Sequence, residues 1–332
     1  MRFLLRRLSL FVLTLWVALT INFFIPHLMP GSPEDALRQR LSQGGFVVST
    51  AQLRKVLAAY GFDPHQTLLG QYLIYLREMV TFHWGVSIGG SLGTPVTQLI
   101  GQALPWTLGL VGITTIMAFV LGTLFGILAG WKRGGLLDSV VPPFFVVTSA
   151  LPYFFVAQLL ILLLSVNTNG FLPNDFNYDL GLRPGFSSAF VGSVIKHALL
   201  PAATILLVAI GGWIMTMRNN MITTLGEDYI RMARAKGLSN RRIMLGYAAR
   251  NAFLPNLSGF AMSIGFVISG MILVEYVFNY PGLGHMFYVA TASNDYPLLQ
   301  ALFLLVTFTV LICVLLGDFA TFLFDPRARA KG

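Results

Sequence analysis

The chain has 332 residues, of which 55% are hydrophobic and only 11% are charged. Soluble proteins carry about 25% charged residues, so this composition excludes a soluble protein of two domains, a disordered chain and a secreted domain held by disulfides. The formal net charge is +9, but the basic residues stand between long apolar runs, where they orient a chain in a bilayer. We therefore expect a polytopic membrane protein, with membrane lipid as its surroundings and no nucleic-acid partner.

Six apolar stretches are long enough to cross a bilayer, since a helix that spans about 30 Å of hydrocarbon needs about 20 mainly apolar residues. The first is too long for the core of a signal peptide and is not followed by a small-residue cleavage pattern, so we expect it to be a permanent span. The sequence thus predicts an all-α polytopic membrane protein, a single domain over residues 1–332. Its six transmembrane helices are predicted at about residues 8–29, 105–131, 140–166, 199–217, 258–278 and 297–324.

The distribution of Lys and Arg predicts the orientation of these helices. Most of the basic residues fall on one side of the membrane if the N-terminus is cytoplasmic, and cytoplasmic loops carry such an excess. We therefore expect both termini in the cytoplasm, an extracytoplasmic loop over residues 30–104 and a cytoplasmic loop over residues 218–255. Helical patches are predicted in the outer loop near residues 51–60 and 68–82, the second with an apolar stripe.

The predicted spans contain few ionisable residues. Glu275 and Asp318 are the only ionisable residues there that are candidates for ion coupling, and we expect them to be structural, at the interface or paired with another helix. The sequence contains no His-Glu-x-x-His motif and no paired nucleophile and base, so it predicts neither a metal site nor an enzyme. It also contains no phosphate-binding loop of the form Gly-x-x-x-x-Gly-Lys-[Ser/Thr], so any ATP must be bound by another chain.

The predicted cytoplasmic loop contains a segment with strong local signals. Glu227 and Asp228 suit the first turn of a helix, Lys236 suits its last turn, and Gly237 supplies a left-handed residue that ends it. Ser239 is suited to cap a second helix. The pattern predicts two short helices with a tight glycine corner between them.

Small side chains in this segment limit its bulk near the glycine corner. Ala233 and Ala235 allow close approach to another surface, and the second helix is expected to run to about Asn251, before Pro255. Two interpretations remain open on these grounds: a partner-docking element, and an ordinary basic loop explained by membrane orientation.

The run from Glu227 to Pro255 closely resembles the EAA motif of ABC-importer permeases. That pattern has a Gly in its middle and a Leu-Pro at its end, here Gly237 and Leu254-Pro255. The form Glu-Asp-Tyr-Ile-Arg followed by Ala-Arg-Ala-Lys-Gly-Leu looks like the oligopeptide/dipeptide/nickel branch. Further matches follow in order along the chain: Leu4-Leu5-Arg6-Arg7-Leu8, Pro30-Gly31-Ser32-Pro33, Leu104-Pro105-Trp106-Thr107-Leu108, Tyr280-Pro281-Gly282-Leu283-Gly284, Asp295-Tyr296-Pro297 and Asp325-Pro326-Arg327-Ala328-Arg329.

The resemblance implies a permease subunit with the type I ABC importer architecture, in the plasma (inner) membrane of a prokaryote. It implies three kinds of partner: a second homologous permease subunit, two cytoplasmic ATPase subunits that bind ATP and Mg, and an extracytoplasmic solute-binding protein. The chain itself is then expected to need no cofactor and to hold no catalytic or metal-binding residue. The residues expected to couple to the ATPases are Glu227, Asp228, Tyr229, Arg231, Ala233, Arg234, Ala235, Lys236, Gly237 and Leu238.

Within this set, Glu227 and Arg231 are expected to make polar contacts to the ATPase, Ala233 and Ala235 to pack closely against it, and Gly237 to form the corner. The chain departs from the family pattern at two places. Asp228 and Tyr229 replace the two alanines of the EAA motif, and residues 83–87 replace a Gly-Asp-Leu-Gly-x-Ser element. No pathway residue is assigned.

The substrate expected from the resemblance is a di- or oligopeptide, with an oligosaccharide as the alternative within the same architecture. Nickel is less favoured because no cluster of metal ligands lies within a predicted span. Two alternatives belong to other classes: an ion-coupled secondary transporter, which the sparse intramembrane charge disfavours, and an intramembrane enzyme, which the lack of a paired nucleophile and base disfavours.

Overall fold

The computed structural model describes residues 2–28, 38, 42, 67–89, 91, 93–267 and 272–324. Within these residues the regular secondary structure is helical, apart from one isolated β-bridge between Val86 and Pro95. The helices, in chain order, are α1 (Arg2–Leu28), α2 (Leu68–Val80), α3 (Val96–Thr107), α4 (Ile113–Trp131), α5 (Leu136–Ser149), α6 (Tyr153–Leu164), α7 (Ser188–Leu225), α8 (Asp228–Ala235), α9 (Asn240–Arg242), α10 (Arg250–Val267), α11 (Ile272–Val277), α12 (Leu283–Ala292) and α13 (Tyr296–Phe324).

Three non-α turns join some of these helices. A π-helical segment, Leu108–Gly112, makes α3 and α4 one continuous helix, and a second, Ile243–Ala249, leads from α9 into α10. A short 3-10 turn, Val166–Thr168, follows α6. The all-α class is therefore confirmed for the described residues.

Four helices in the described part of the chain are long and apolar enough to cross a membrane: Leu8–Ile25, Val96–Trp131, Ser188–Leu225 and Tyr296–Leu315. They coincide with the first, second, fourth and sixth predicted spans. The fifth predicted span, residues 258–278, falls on α10 and α11, but residues 268–271 between them lie outside the described set. The predicted helix near residues 51–60 and the motifs at residues 30–33 and 325–329 also lie outside it.

The third predicted span, residues 140–166, is not one straight helix. It consists of α5 and α6, which meet at an angle of 105°; if the bent pair is one span, the described residues hold up to five. The break follows from Pro152, which cannot donate to the helical ladder and disfavours helical geometry at Leu151. The prediction of one continuous helix was wrong because it weighed apolar length above this proline.

Two other helices extend well beyond their predicted spans. The helix predicted to start at Pro105 starts at Val96, and α7 runs from Ser188 to Leu225. Polar residues at these helix ends, such as Gln98 and Asn219, lower the local hydropathy but do not interrupt the backbone hydrogen bonds of the helix. The predicted loop boundaries at residues 104 and 218 therefore fall inside helices.

A stripe of glycines lets α4 and α7 approach closely. Gly122, Gly126 and Gly130 recur every four residues along one face of α4. A Cβ at Gly126 would lie 2.7 Å from the Ile214 carbonyl oxygen and 2.7 Å from the Met217 Cβ. Because apolar burial drives little association between helices in lipid, such close van der Waals packing is a main source of their attraction.

Buried side chains on α2 tie it to the long helices. Tyr75 and Met79 of α2 lie in one core cluster with residues of α1, α3, α12 and α13, and the Tyr72 hydroxyl is hydrogen-bonded to Thr20 Oγ1 at 2.7 Å. The predicted helix near residues 68–82 is confirmed. The predicted stripe consists of Leu69, Tyr72, Leu73 and Leu76; Tyr72 and Leu76 pack on this cluster, whereas Leu69 and Leu73 are exposed.

We expect Gly126→Ala to destabilise the protein by about 1–3 kcal/mol, because the added methyl group overpacks the α4–α7 contact. The matched control is Gly101→Ala, since Gly101 lies on the same continuous helix and a Cβ there meets nothing within 4 Å. Thermal unfolding of the two detergent-purified variants compares them. Equal melting temperatures would show that the α4–α7 contact tolerates a side chain.

Candidate functional site

The candidate site is the segment around α8, between the two long helices α7 and α10. α8 comprises eight residues, Asp228–Ala235, and Glu227 precedes it in extended geometry as its N-cap (φ −71°, ψ 147°). Asp228 places a negative charge in the first turn, where the positive end of the helix dipole favours it. The predicted start of this helix is confirmed.

A glycine corner ends α8 as the sequence predicts. Gly237 has φ +71°, and two backbone bonds close the turn: Gly237 N to Arg234 O at 2.9 Å and Leu238 N to Ala233 O at 3.3 Å. These bonds form a Schellman motif, with Lys236 at the C-cap. A Cβ at Gly237 would meet nothing within 4 Å, so the backbone geometry, and not space, requires glycine here.

The second helix of this unit differs from its prediction. Ser239 is the N-cap of α9, but its side chain makes no capping hydrogen bond. The chain then passes through the π-helical segment into α10 and continues helical through Pro255 to Val267, so the predicted stop near Asn251 was wrong. A proline removes only one hydrogen bond from such a helix, and buried Ala248, Ala249 and Ala252 extend the packed face up to it.

The inner face of α8 packs against its own chain. Ile230 is 0% and Ala233 is 3% exposed, and both lie in one core cluster with Met217 and Met221 of α7 and Ile243 of the π-helical segment. The side chains meet because residues three apart share one face of a helix. The small size of Ala233 serves the contact of α8 with its own chain, and the expected close packing of Ala233 against an ATPase stays a prediction.

The outer face of α8 is exposed. An ion pair between Arg231 Nη1 and Asp228 Oδ1, 3.4 Å apart, lies in solvent and contributes little to stability. The Tyr229 hydroxyl accepts a hydrogen bond from Asn251 Nδ2 at 3.1 Å, which links α8 to α10. We define the outer face of α8 as its exposed side chains, which are Asp228, Tyr229, Arg231, Met232, Arg234 and Ala235.

Apolar side chains on this surface increase its capacity to bind another protein. Met232 is 59% exposed on α8, and Leu245 is 57% exposed on the adjoining π-helical segment. Basic side chains from Arg231, Arg234 and Lys236 stand beside them. A rigid helix with exposed apolar and basic side chains is suited to insertion into a cleft of a partner protein.

At the far end of the bundle, two buried carboxylates hold the short helix α12. Glu275 is 0% exposed and accepts hydrogen bonds from Thr107 Oγ1 at 2.8 Å, Gly284 N at 2.7 Å and His285 N at 3.2 Å. Leu283 N donates to Thr107 Oγ1 at 2.7 Å. Glu275 and Thr107 together satisfy the free N–H groups at the start of α12, which supports the expected structural role of Glu275.

The surroundings of Glu275 account for the neighbouring glycines. A Cβ at Gly282 would lie 2.5 Å from the Glu275 Cδ, and one at Gly284 would lie 2.8 Å from the Ile272 Cα. Burial lowers the pKa of the His285 imidazole, so that ring is uncharged near pH 7. Glu275 is consequently held by hydrogen-bond donors and not by an ion pair with His285.

Asp295, the second carboxylate, lies just beyond the other end of α12. It is 0% exposed and accepts hydrogen bonds from Ser87 Oγ, Ile88 N at 3.2 Å and Gly89 N at 3.1 Å. Sequence analysis identified Asp295 only as part of a family motif. Its polar character beside an apolar run was the available signal. The side chain of Asp318 lies outside the described residues.

The long apolar helices define a multi-pass membrane protein, and α8, between two of its long helices, has one buried and one exposed face. Residues 122–330 match the family model described as "Binding-protein-dependent transport system inner membrane component". The chain belongs to this family, the permeases of ABC importers, whose systems also contain ATPase and solute-binding components. The matched range includes α8 and α12.

Characterised relatives are similar over nearly their whole length. The dipeptide transport system permease protein DppB of Lactococcus lactis is 30% identical over 328 residues, 99% of each chain. The oligopeptide transport system permease protein AppB of Bacillus subtilis is 31% identical over 321 residues, 97% of each chain. The metal-staphylopine import system permease protein CntB of Staphylococcus aureus is 30% identical over 329 residues, 99% of this chain and 98% of its own.

We expect Gly237→Val to loosen the corner after α8, because a β-branched residue in left-handed geometry costs about 1–2 kcal/mol. Trypsin should then cleave faster after Arg234 and Lys236. The control is Gly246→Val, at an exposed glycine of the adjoining segment where a Cβ meets nothing within 4 Å. Cleavage of Gly237→Val at the unmodified rate would contradict the assigned role of the corner.

We expect Glu275→Gln to lower stability by about 1.5–3 kcal/mol, because the amide loses charge-assisted hydrogen bonds at the start of α12. The control is Asp175→Asn, which neutralises an exposed acid. Thermal unfolding in detergent measures both. If Glu275→Gln unfolds at the same temperature as the unmodified protein, the carboxylate is not needed to hold α12.

Proposed function

We propose that this chain forms half of the translocation pathway of an ATP-driven importer and that α8 is its coupling helix. The observation that carries the proposal is the division of α8 into two faces: Ile230 and Ala233 are buried in one core cluster with Met217 and Met221 of α7, while Arg231 and Met232 are exposed. Such a helix can transmit a push from a partner because its inner face is buried in the core of its own chain. Because the chain belongs to the permeases of ABC importers, the partner proposed for this exposed face is an ATPase subunit.

The partners proposed are a second homologous permease subunit, two cytoplasmic ATPase subunits and an extracytoplasmic solute-binding protein. ATP and Mg are bound by the ATPases. The chain is proposed to lie in the inner membrane of a prokaryote with six spans and with both termini in the cytoplasm. The excess of Lys and Arg on the side that carries α8 supports this orientation.

In the proposed cycle, ATP binding closes the ATPase dimer and draws together the coupling helices of the two permeases. The movement of α8 passes to α7 through the buried contacts of Ile230 and Ala233 with Met217 and Met221. The pathway then opens outward and receives solute from the binding protein, and ATP hydrolysis resets it. This sequence needs a stiff α8, which the Schellman corner at Gly237 supports.

The proposed substrate is a di- or oligopeptide. The names of two full-length relatives, DppB of L. lactis and AppB of B. subtilis, state dipeptide and oligopeptide transport, which supports this choice. Oligosaccharide import by the same architecture is the alternative. Competition for the purified solute-binding protein between a dipeptide mixture and an oligosaccharide mixture separates the two.

We expect Met232→Asp to reduce co-purification of the ATPase subunits with the permease by about tenfold, because a carboxylate in an apolar contact weakens binding by roughly 1.4 kcal/mol or more. The control is Leu180→Asp, at a residue that is 85% exposed and lies between α6 and α7. Quantitative pull-down from detergent extracts provides the measurement. Unchanged recovery of the ATPases with Met232→Asp would count against the docking role of α8.

The alternatives from other classes are tested with the same preparation. Proteoliposomes that contain the assembled complex should accumulate labelled dipeptide when ATP is supplied to the ATPases. Uptake driven by an ion gradient without ATP would instead support a secondary transporter. Turnover of ATP by the purified chain alone would contradict the assignment of nucleotide chemistry to the partner subunits.

A further inference from the structure

A partly buried ion pair connects α5 to the last turns of α7. Asp138, in the first turn of α5, accepts a hydrogen bond at Oδ1 from Arg218 Nε and another at Oδ2 from Arg218 Nη2 at 2.9 Å. Gly134 N also donates to Asp138 Oδ2, at 2.8 Å. The Asp138 side chain is 6% and the Arg218 side chain 21% exposed. A bidentate contact of this kind fixes direction as well as distance.

The same turn of α7 carries the coupling helix. Met217 and Met221, which flank Arg218 in sequence, share one core cluster with Ile230 and Ala233 of α8. On the α4 side, a Cβ at Gly126 would lie 3.1 Å from Arg218 N. One turn of α7 is therefore packed against α4, bonded to α5 and part of the core cluster that includes α8, and the connection to α5 is the charged one.

α5 is also fastened to α7 near its other end. Thr148 Oγ1 donates to the Leu207 carbonyl at 2.7 Å, and a Cβ at Gly211 would lie 2.8 Å from the Phe145 carbonyl carbon. The 105° bend into α6 follows directly. Because α5 is attached to α7 near both of its ends, it lies against α7 along its length. The chain changes direction only after α5, at residues 150–152.

We propose that Asp138 and Arg218 are a positioning pair that makes α5, the last turns of α7 and α8 move as one body, so that a displacement of α8 is delivered to the bend between α5 and α6. The inference rests on the proposed function, because it takes α8 as the point where the ATPases act. Packing of flexible methionines resists separation but tolerates sliding. Between α5 and α7, the bidentate pair resists sliding and rotation as well.

The experiment measures distances between nitroxide spin labels in the assembled complex. The single cysteine, Cys313, is replaced by alanine, and labels are placed in pairs at Val140 on α5 with Asn240 beside the glycine corner, and at Val140 with Leu163 on α6. All three positions are exposed and lie outside the outer face of α8. Each distance is measured without nucleotide and with ATP and vanadate.

The expected result is a Val140–Asn240 distance that is the same in both nucleotide states and a Val140–Leu163 distance that changes. In Asp138→Asn, the distribution of Val140–Asn240 distances should shift or broaden when nucleotide is added. The number of ATP molecules hydrolysed per labelled dipeptide imported should rise by about tenfold, which is within the range of typical coupling between sites. Arg218→Lys keeps the positive charge, so its changes in distance and in ATP cost should be smaller than those of Asp138→Asn. The control is Arg133→Gln, which removes an exposed positive charge beside the pair and keeps both Arg218 hydrogen bonds.

Two outcomes would overturn the inference while leaving the proposed function intact. The first is a Val140–Asn240 distance that changes with nucleotide in the unmodified complex. The second is an Asp138→Asn complex whose distances and ATP cost match those of the unmodified one. Failure of the ATPases to co-purify with the unmodified permease is a different result, because it would refute the proposed function and this inference with it.

Discussion

The close contact between α4 and α7 is the constraint on which the rest of the structure depends. Helices in a bilayer gain little from burying apolar side chains against one another, so they need surfaces that fit. The glycine stripe at Gly122, Gly126 and Gly130 provides such a surface, since even one methyl group would collide with α7. It holds α7 in place, and Met217 and Met221 of α7 share one core cluster with Ile230 and Ala233 of α8.

Buried carboxylates in the described part of the chain are stabilised in two ways. At the far end of the bundle, Glu275 and Asp295 are surrounded by N–H and hydroxyl donors, so helix termini and loops replace the water that each carboxylate lost. Near α8, Asp138 is matched by the guanidinium of Arg218. The first arrangement secures α12 against the segment that leads into α3, and the second joins α5 to α7.

Much of the fold was predictable, and the reasons for the errors are local. Apolar length located four of the helices that could span a membrane, and capping signals located α8 and its corner at Gly237. Pro152 broke a helix that was predicted as continuous, whereas α10 passes through Pro255. The two prolines differ in what surrounds them: buried Ala252 and Asn256 lie on either side of exposed Pro255 within α10, whereas Pro152 lies at a turn between α5 and α6. Hydropathy does not report such packing.

The sequence by itself determined the class of protein, the positions of the long helices and the stiffness of α8, because these follow from composition, apolar length and short-range backbone bonds. Only the tertiary structure decided which face of α8 is free, since the burial of Ala233 depends on α7 and the π-helical segment. It also decided the partners of Glu275, Asp295 and Asp138. Each of these carboxylates bonds to at least one residue far away in the chain, and no local pattern specifies such a distant neighbour.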